Sequence, residues 1–347
     1  IKPICDNIGC KILSLNANGE GEVTNNLDSL DSFFKPNTRL NDDLAALLYT
    51  SGTTGKPKGA MLTHQNLVSN AHQLINLWNI DTSDTLIHSL PIYHTHGLFV
   101  AINTSMMSGA SIRFIKSFNI DLVIEAFKYS TLMMGVPTFY TRLIKDTRLD
   151  ESLTKNMKLF ISGSAPLLTE THQDFYNITG HRILERYGMT ETNMNTSNPF
   201  DGERKAGSVG KPLKDINIRI NKTKGYKNTV HNEIGMIEIM GPNVFKGYLN
   251  NPKKTQEAFT EDGYFITGDI GYFDRDGYLF ISGRNKDLII SGGFNVYPKE
   301  IEDVINQHKS VIESAVFGIK DNDLGEVPIA AVVMINNNTE IKDLSIF

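Results

Sequence analysis

The chain has 347 residues, of which 40% are hydrophobic and 21% charged, and its formal net charge is −5. This length and composition are typical of a globular protein with more than one domain or lobe, and the negative charge argues against a nucleic-acid-binding surface. The two cysteines are too few for a four-ligand metal site or a disulfide framework. No apolar run reaches the roughly 18 residues that a membrane span requires.

The first stretch that indicates chemistry is residues 49–59, Tyr-Thr-Ser-Gly-Thr-Thr-Gly-Lys-Pro-Lys-Gly. Apolar residues 44–48 predict a strand before it, and Thr63 is typical of the N-cap of a following helix. A glycine-rich turn between a strand and a helix suits an oxyanion, because backbone N–H groups point into such a loop. The stretch lacks the glycine spacing of a Walker A loop, and Pro57 removes a donor. The alternative is a flexible surface loop.

Helices and strands alternate from residue 65 to residue 187. The pattern predicts helices at 65–78, 98–107, 122–129, 138–145 and 169–179, and strands at 86–91, 111–115, 132–136, 159–162 and 183–187. Such alternation indicates an α/β fold, a large lobe with mainly parallel sheets covered by helices. Ligands bind beyond the carboxyl ends of parallel strands. We therefore expect the site in loops 49–59, 93–97, 162–167 and 187–195.

After about residue 215 the pattern changes to short strands and turns, which predicts a small β-rich subdomain. Residues 274–277, Asp-Arg-Asp-Gly, predict a hairpin turn. A helix at 298–307 and strands at 314–319 and 329–335 then indicate a small α+β lobe. We expect an N-terminal domain at 1–285 and a mobile C-terminal lobe at 286–347.

Two loops at strand ends could contact a nucleotide. Residues 162–166 could lie edge-on to a planar base, although a plain strand-to-helix turn explains them equally. In the stretch 187–192, Tyr187 could stack on a base, Thr190 could donate to a phosphate, and Glu191 could hold Mg²⁺, which prefers oxygen ligands. The alternative for this stretch is a polar N-cap beside a buried tyrosine.

Further candidates lie on both sides of the predicted hairpin. Asp269 could accept both hydroxyls of a ribose, as acidic residues do in dinucleotide folds. Arg284 could take part in the same site or form a structural ion pair. Gly292 and Gly293 would let the backbone approach a ligand closely, or simply form a turn.

Five of these stretches occur in an order and spacing that resemble the adenylate-forming acyl-CoA synthetase/luciferase superfamily: 50–59, 187–192, 267–269, 283–286 and 292–293. The resemblance covers nearly the whole chain. A closer resemblance, to the malonyl-CoA synthetases (malonate–CoA ligases), lies in residues 91–99, 135–142, 185–199 and 292–300.

The resemblance implies a two-step reaction. A carboxylate attacks the α-phosphate of Mg·ATP, and the thiol of coenzyme A then attacks the acyl-adenylate to give a thioester and AMP. It implies that the β- and γ-phosphates are held by Thr50, Ser51, Gly52, Thr53, Thr54, Gly55, Lys56 and Lys58. By the same resemblance, Thr190 and Glu191 serve the α-phosphate and Mg²⁺, Ser164, Ala165, Pro166 and Tyr187 line the adenine, and Asp269 and Arg284 hold the ribose. His94 matches a gate between the ATP and acyl pockets, Lys286 a hinge, and Gly292 and Gly293 a contact with coenzyme A.

Arg186 suggests which acid is used. Superfamily members that take apolar acids commonly have a small residue there, whereas a buried arginine needs an anionic partner. The second carboxylate of malonate could bind it bidentately. Thr95 and His96 could add hydrogen bonds, Met189 could limit chain length, and Arg142 is a further candidate. The alternative is a pair with Glu185, which is awkward because adjacent strand residues point to opposite faces.

The resemblance also implies segments beyond both ends of this chain, including a C-terminal Gly-Lys segment whose lysine binds the α-phosphate. We therefore expect a truncated chain that adenylates poorly, since the loss of one such donor typically costs about 10²–10³ in rate. The alternatives are another short-chain or methylmalonate acyl-CoA synthetase, or a catalytically inactive nucleotide-binding or scaffolding protein. No targeting pattern is recognisable, so we expect a soluble intracellular protein, cytoplasmic or mitochondrial. Nothing in the sequence indicates an oligomeric state.

Overall fold

The structure is a computed structural model that describes residues 2–16, 18–25, 27, 33–50, 57–221, 234–308, 310–321 and 323–334. The chain divides into two compact units, Ile1–Leu40 and Asn41–Phe347. The first unit contains two short helices, α1 (Lys2–Ile8) and α2 (Glu22–Asn25). The boundary that the sequence predicts after residue 285 lies inside the second unit and stays a prediction.

A seven-stranded sheet with the order β4-β3-β5-β6-β7-β8-β9 is the centre of the second unit. Its strands are β3 (Thr85–His88), β4 (Ser111–Phe114), β5 (Leu132–Gly135), β6 (Leu159–Ser162), β7 (Leu184–Met189), β8 (Asn193–Ser197) and β9 (Lys211–Pro212). The pairs from β4 to β7 are parallel, whereas β8 and β9 are antiparallel additions. The mainly parallel α/β sheet that the sequence predicts is therefore confirmed.

Helices connect these strands and form the core with them. They are α3 (His64–Trp78), a π-helix (His96–Ile102), α4 (Asn103–Ser108), α5 (Ile120–Ala126), a 3₁₀ turn (Phe127–Tyr129), α6 (Pro137–Leu143), α7 (Glu151–Thr154) and α8 (Thr169–Thr179). Strands β5 and β6 are buried along their whole length, and large side chains such as Trp78, Phe160 and Phe175 pack on the sheet without solvent exposure. Close packing of this kind resists deformation, so the strand ends form a rigid platform for the site.

The stretch around residues 49–59 requires a correction. A second strand, β2 (Lys58–Thr63), follows it and pairs antiparallel with β1 (Leu44–Thr50) in a separate two-stranded sheet. The loop thus connects two strands of a hairpin, instead of a strand and a helix at the edge of the parallel sheet. The reason is that Ala60 and Leu62 alternate into a second hydrophobic cluster and are fully buried there. Residues 51–56 lie outside the described residues.

The predicted N-cap of helix α3 is confirmed, as part of a capping box. The backbone N–H of Asn66 donates to Thr63 Oγ1 at 3.2 Å, and the backbone N–H of Thr63 donates to Asn66 Oδ1 at 2.8 Å. Asn66 Nδ2 also donates to the carbonyl oxygens of Pro242 and Val244, both at 2.8 Å. The start of α3 is thereby attached to the segment that follows strand β11 (Gly235–Met240).

The β-rich region is a four-stranded antiparallel sheet, followed by the smaller lobe. The sheet has the order β10-β11-β12-β13, with β10 (Asn217–Asn221), β11 (Gly235–Met240), β12 (Phe265–Phe273) and β13 (Leu279–Arg284), and helix α9 (Pro252–Glu257) precedes β12. The predicted hairpin turn at 274–277 is confirmed between β12 and β13. Among the described residues, no helix combines the length and apolarity that crossing a bilayer requires.

The last region is a four-stranded antiparallel sheet with the order β15-β14-β17-β16, preceded by a 3₁₀ turn (Asn285–Asp287). Its elements are β14 (Ile289–Ser291), β15 (Phe294–Val296), α10 (Pro298–Ile305), β16 (Val311–Asp321) and β17 (Gly325–Met334). Ile289, Ile305, Val311 and Val316 form its own small core. The predicted α+β character of this lobe is confirmed.

Candidate functional site

A cavity of about 1400 Å³ lies at the carboxyl ends of the parallel strands. It is lined by His88 at the end of β3, Val136 after β5, Ser164 after β6, and Gly188–Glu191 at the end of β7. This is the edge of a parallel sheet at which ligands bind. Thr50 and Lys58, which flank the loop at 51–56, line the same cavity. We call it the larger cavity.

A smaller cavity of about 890 Å³ adjoins the larger one. The two share the lining residues Ser164, Arg186, Gly188 and Arg284, so together they form one cleft. Of the residues that sequence predicts in the site, the larger cavity collects Thr50, Lys58, His94, Thr95, His96, Met189, Thr190 and Glu191. The smaller cavity collects Ala165, Pro166, Tyr187, Asp269 and Lys286.

Three predicted residues are not brought into this cleft. Arg142 is exposed, and its guanidinium carbon lies 5.9 Å from the ring centroid of Phe118, whose side chain does line the larger cavity. Gly292 and Gly293 form the turn between β14 and β15 with φ angles of 56° and 80°. The predicted phosphate ligands Ser51, Gly52, Thr53, Thr54, Gly55 and Lys56 lie outside the described residues.

Arg186 is buried, and no described residue forms an ion pair with it. Its side chain lies in strand β7, 3% exposed, and its Nε and Nη2 atoms have no hydrogen-bond partner among the described residues. Burial lowers the pKa of Arg186 to about 9, which still leaves the guanidinium charged at neutral pH. A buried charge of this kind is costly unless an anion pairs with it. The arrangement therefore favours an anionic ligand in the cavity.

Glu185 does not serve as that anion, because it points to the other face of the strand. Its Oε1 lies 3.5 Å from His172 Nδ1 and accepts a hydrogen bond from the backbone N–H of Gly207 at 3.1 Å. Burial raises the pKa of Glu185 above its usual value, although the contact with His172 partly opposes this effect. The alternative pairing of Arg186 with Glu185 is thus absent from this structure.

Two further residues that line the larger cavity each carry a buried polar atom without a partner among the described residues. These atoms are Thr95 Oγ1 and His96 Nε2, and both side chains are buried. The other ring nitrogen of His96, Nδ1, lies 3.2 Å from Ser164 Oγ. Burial, assisted by the positive charge of Arg186, holds the pKa of His96 well below its usual value. A neutral imidazole therefore lies beside the guanidinium.

A π-helix positions these groups and forms the first part of the helix that the sequence predicts at 98–107. It begins at His96, and α4 continues from Asn103. The backbone is closely packed at the start of the π-helix, because a Cβ at Gly97 would lie 2.2 Å from the carbonyl oxygen of Pro91. His88 Nε2 also lies 2.9 Å from the carbonyl oxygen of Gly97. Such π-helical segments are rare and often occur at functional sites.

Tyr187, Asp269 and Arg284 form one hydrogen-bonded group in the cleft. Tyr187 Oη donates to Asp269 Oδ2 at 2.5 Å, and Arg284 Nε lies 3.0 Å from Asp269 Oδ1. Asp269 and Arg284 face each other across β12 and β13. Burial raises the pKa of Asp269, while Tyr187 and Arg284 act in the opposite direction. Arg284 is thus in an ion pair and also lines both cavities.

Glu191 is held by a residue that sequence reasoning missed. The hydroxyl of Tyr248 donates to Glu191 Oε1 at 3.0 Å, and the Nζ atom of Lys58 lies 4.3 Å from the centroid of the Tyr248 ring. Lys254, also missed, lines the larger cavity and pairs with Glu257 at 2.6 Å. No local pattern singles out Tyr248, because its partner Glu191 lies 57 positions away in the chain.

The residues around Glu191 fit a magnesium ion held together with a polyphosphate. The part of the chain that the structure describes contains no group of three or more His, Cys, Asp or Glu that could hold a metal. Mg²⁺ does not need such a cage, since it commonly binds through one or two carboxylates plus water and substrate phosphates. Glu191 is a carboxylate in the cavity that Lys58 also lines.

Comparisons with known proteins agree on one family. Residues 7–249 match the AMP-binding enzyme family, and residues 300–345 match the AMP-binding enzyme C-terminal domain. A malonate–CoA ligase of Arabidopsis thaliana is 39% identical over 324 residues, which cover 87% of this chain and 53% of that protein. The chain spans about half the length of the curated relatives it matches.

Solved structures extend the likeness to three dimensions. ATP-bound MatB from Rhodopseudomonas palustris is 50% identical with a TM-score of 0.94, over 98% of this chain and 67% of that one. A malonyl-CoA ligase in a ternary product complex with methylmalonyl-CoA and AMP is 38% identical with a TM-score of 0.68, over 88% of this chain and 67% of that one. The chain therefore belongs to the family of AMP-binding enzymes, within the adenylate-forming superfamily.

Proposed function

We propose that this chain is part of an AMP-forming acid–thiol ligase that converts ATP, malonate and coenzyme A into malonyl-CoA, AMP and diphosphate. The observation that carries the proposal is Arg186, a buried residue in the lining of the larger cavity whose Nε and Nη2 atoms have no hydrogen-bond partner among the described residues. The similarity of the chain to malonate–CoA ligases supports the same reaction. The chemistry of the pocket then explains why the acid should be a dicarboxylate.

Malonate carries two carboxylates, and only one of them reacts. The other can accept two parallel hydrogen bonds from Arg186, which removes the cost of the buried, unpaired charge. If the hydroxyl of Ser164 donates to His96 Nδ1, then Nε2 carries the imidazole proton and can donate to the same carboxylate. Thr95 Oγ1 offers another donor. A monocarboxylate such as acetate would leave these groups unsatisfied.

The remaining residues of the cleft suit the nucleotide. Ser164, Ala165, Pro166 and Tyr187 would line the adenine, while Asp269 and Arg284 would hold the ribose. The loop from Thr50 to Lys58 and Thr190 would bind the phosphates. Glu191 would hold Mg²⁺, which neutralises charge on phosphate oxygens when bound. Lys286, in the 3₁₀ turn that precedes the small lobe, would act as the hinge of that lobe, and Gly292 and Gly293 would approach coenzyme A.

In the proposed reaction, an oxygen of the unbound malonate carboxylate attacks the α-phosphorus, and diphosphate leaves. The thiol of coenzyme A then attacks the acyl carbon and loses its proton to solvent, and AMP leaves with the electrons of the acyl–oxygen bond. The protein's contribution is to hold the acid at Arg186 and the nucleotide at Asp269 within one cleft. Holding two reactants in this way accounts for a large part of the rate in such reactions.

Methylmalonate is the second candidate acid. The similar ligase described above binds methylmalonyl-CoA, and methylmalonate has the same two carboxylates with one additional methyl group. Met189 is only partly buried at the wall of the larger cavity and could contact that methyl group. Both acids would use Arg186 in the same way.

Pyrophosphate release with malonate, methylmalonate, succinate and acetate tests the proposal. We expect malonate to be used best, methylmalonate next, and succinate and acetate poorly. The ranking of the acids is informative even where the absolute rate is low. A chain that used acetate as well as malonate would contradict the assignment of Arg186, and a chain that used no acid and bound no ATP would contradict the ligase function.

A further inference from the structure

The segment at residues 245–249 connects strand β2, which carries Lys58, with the turn that carries Glu191. On one side it pairs with β2: the backbone N–H groups of Lys246 and Leu249 donate to the carbonyl oxygens of Met61 and Gly59 at 2.9 and 2.8 Å. On the other side, the backbone N–H of Phe245 donates to the carbonyl oxygen of Glu191 at 2.8 Å. The strand that carries Lys58 is thereby attached to the turn that carries Glu191.

Tyr248 repeats this connection with its side chain. The ring is 6% exposed and packs edge-on against Phe245 with a centroid distance of 4.9 Å. The backbone N–H of Tyr248 donates to Thr255 Oγ1 at 2.9 Å, which further limits movement. From this fixed ring, the hydroxyl donates to Glu191 Oε1, and the face of the ring lies under the Nζ atom of Lys58.

We propose that Tyr248 is a positioning residue that sets the geometry of Glu191 and Lys58 for the phosphates of Mg·ATP. The inference rests on the proposed function. The hydroxyl restricts rotation of the Glu191 carboxylate through its hydrogen bond to Oε1 and would leave Oε2 to coordinate Mg²⁺. The ring attracts the ammonium group of Lys58 by a cation–π contact and keeps it in the same cavity. One side chain thus positions both the carboxylate of Glu191 and the ammonium group of Lys58.

A purely structural role would not require the hydroxyl. A phenylalanine would fill the same volume between Phe245 and Lys58, and the hydroxyl of Tyr248 has one partner among the described residues, which is Glu191. Tyr248→Phe therefore separates the two possibilities, because it removes the hydrogen bond to Glu191 and keeps the ring. We expect this variant to fold with little change in its melting temperature.

The test is the dissociation constant of ATP, measured by calorimetry with and without Mg²⁺ on the 347-residue chain. For Tyr248→Phe we expect Kd for Mg·ATP to rise about 10-fold, as for loss of one hydrogen bond to a charged group. The Kd for metal-free ATP should change less than about 2-fold. Tyr278→Phe is a matched control. Tyr278 is also buried, donates one hydrogen bond to the carbonyl oxygen of Glu203 at 2.8 Å and has lysine ammonium groups over its ring. It differs from Tyr248 in that it lines neither cavity.

A double-mutant cycle shows whether Tyr248 acts through Glu191. In the background of Glu191→Ala, which removes the acceptor, Tyr248→Phe should have no further effect on Kd for Mg·ATP. Additive effects would overturn the inference. So would a wild-type chain that binds Mg·ATP no better than the well-folded Tyr248→Phe variant. If the wild-type chain binds no Mg·ATP at all, the proposed function fails and the inference fails with it, whereas the two outcomes above contradict the inference alone.

Discussion

The guanidinium of Arg186 occupies the space in which a side chain at residue 163 would stand. A Cβ added to Gly163 would lie 2.4 Å from Arg186 Cζ and 2.5 Å from Nη1. The residue before it, Ser162, ends strand β6, next to β7 in the parallel sheet. The absence of a side chain at Gly163 therefore allows Arg186 to lie flat against the neighbouring strand connection and to reach the cavity.

Gly163→Ala should displace Arg186 without unfolding the protein, because the clash involves the far end of a flexible side chain. We expect kcat/KM for malonate to fall about 10- to 100-fold, since small misplacements of a substrate contact have effects of this size. Pyrophosphate release measures the change. Activity with acetate should stay within about 2-fold of the wild type; an equal loss for acetate would mean that the substitution disturbs the nucleotide site instead.

Removal of the guanidinium should change the preference among acids. For Arg186→Ala we expect kcat/KM with malonate to fall about 10²-fold or more, because one partner of a desolvated charge pair is lost. A monocarboxylate should lose far less. Arg142→Ala is the matched control, since Arg142 is exposed and lines neither cavity. If both acids lose activity equally in Arg186→Ala, the guanidinium does not select a dicarboxylate.

Arg186 should also reduce the stability of the protein without its acid. In the ligand-free state a buried charge is uncompensated, so Arg186→Met, which keeps much of the volume, should raise the unfolding free energy by about 1–3 kcal/mol. Urea denaturation of both chains measures the difference. Malonate should reduce the difference in unfolding free energy between the two chains, because it stabilises only the wild-type chain. A destabilised Arg186→Met chain would show that the guanidinium has partners that stabilise it.

His96 should make the protein less stable in mild acid. Its folded-state pKa lies well below the usual value because of burial and the positive charge of Arg186. The unfolded chain therefore binds a proton near pH 6.5 that the folded chain does not. As a result, the unfolding free energy is unaffected above this pH and decreases below it, by at most about 1.4 kcal/mol per pH unit.

Urea denaturation at pH 7.5, 6.5 and 5.5 measures this dependence. His96→Asn should remove the part of the pH dependence that His96 causes, whereas His72→Asn, a change at an exposed histidine of helix α3, should leave it unchanged. The same slope below pH 6.5 in the wild type and in His96→Asn would contradict the prediction.

Asp269→Asn should weaken ATP binding more than Tyr187→Phe. The first change removes the charge that pairs with Arg284, whereas the second removes only one hydrogen bond to Asp269. We expect Kd for ATP to rise about 30-fold or more for Asp269→Asn and about 10-fold for Tyr187→Phe. Calorimetry measures both. If neither variant binds ATP differently from the wild type, these residues are not part of a ribose site.

Local patterns were sufficient for much of the fold. The alternation of apolar segments predicts the parallel sheet, Thr63 predicts the start of α3, and residues 274–277 predict the hairpin turn. All three depend on residues a few positions apart, whose side chains interact within one element. The strand β2 was missed because its short run follows directly after the glycine-rich stretch, and its burial depends on a cluster that includes Phe245 and Phe265.

The candidate site, like the fold, was predicted only in part from the sequence. Short motifs were sufficient to name Glu191, Tyr187 and Asp269 as candidates, and the resemblance to acyl-CoA synthetases singled out Arg186. Tertiary packing alone decides which groups have partners: Tyr248 bonds to Glu191 from 57 positions away, and Tyr187 bonds to Asp269 from 82. It also decides that, among the described residues, no anion pairs with Arg186, while Glu185 contacts His172. Burial and pairing depend on elements that approach only in the folded chain, so no local spacing of residues encodes them.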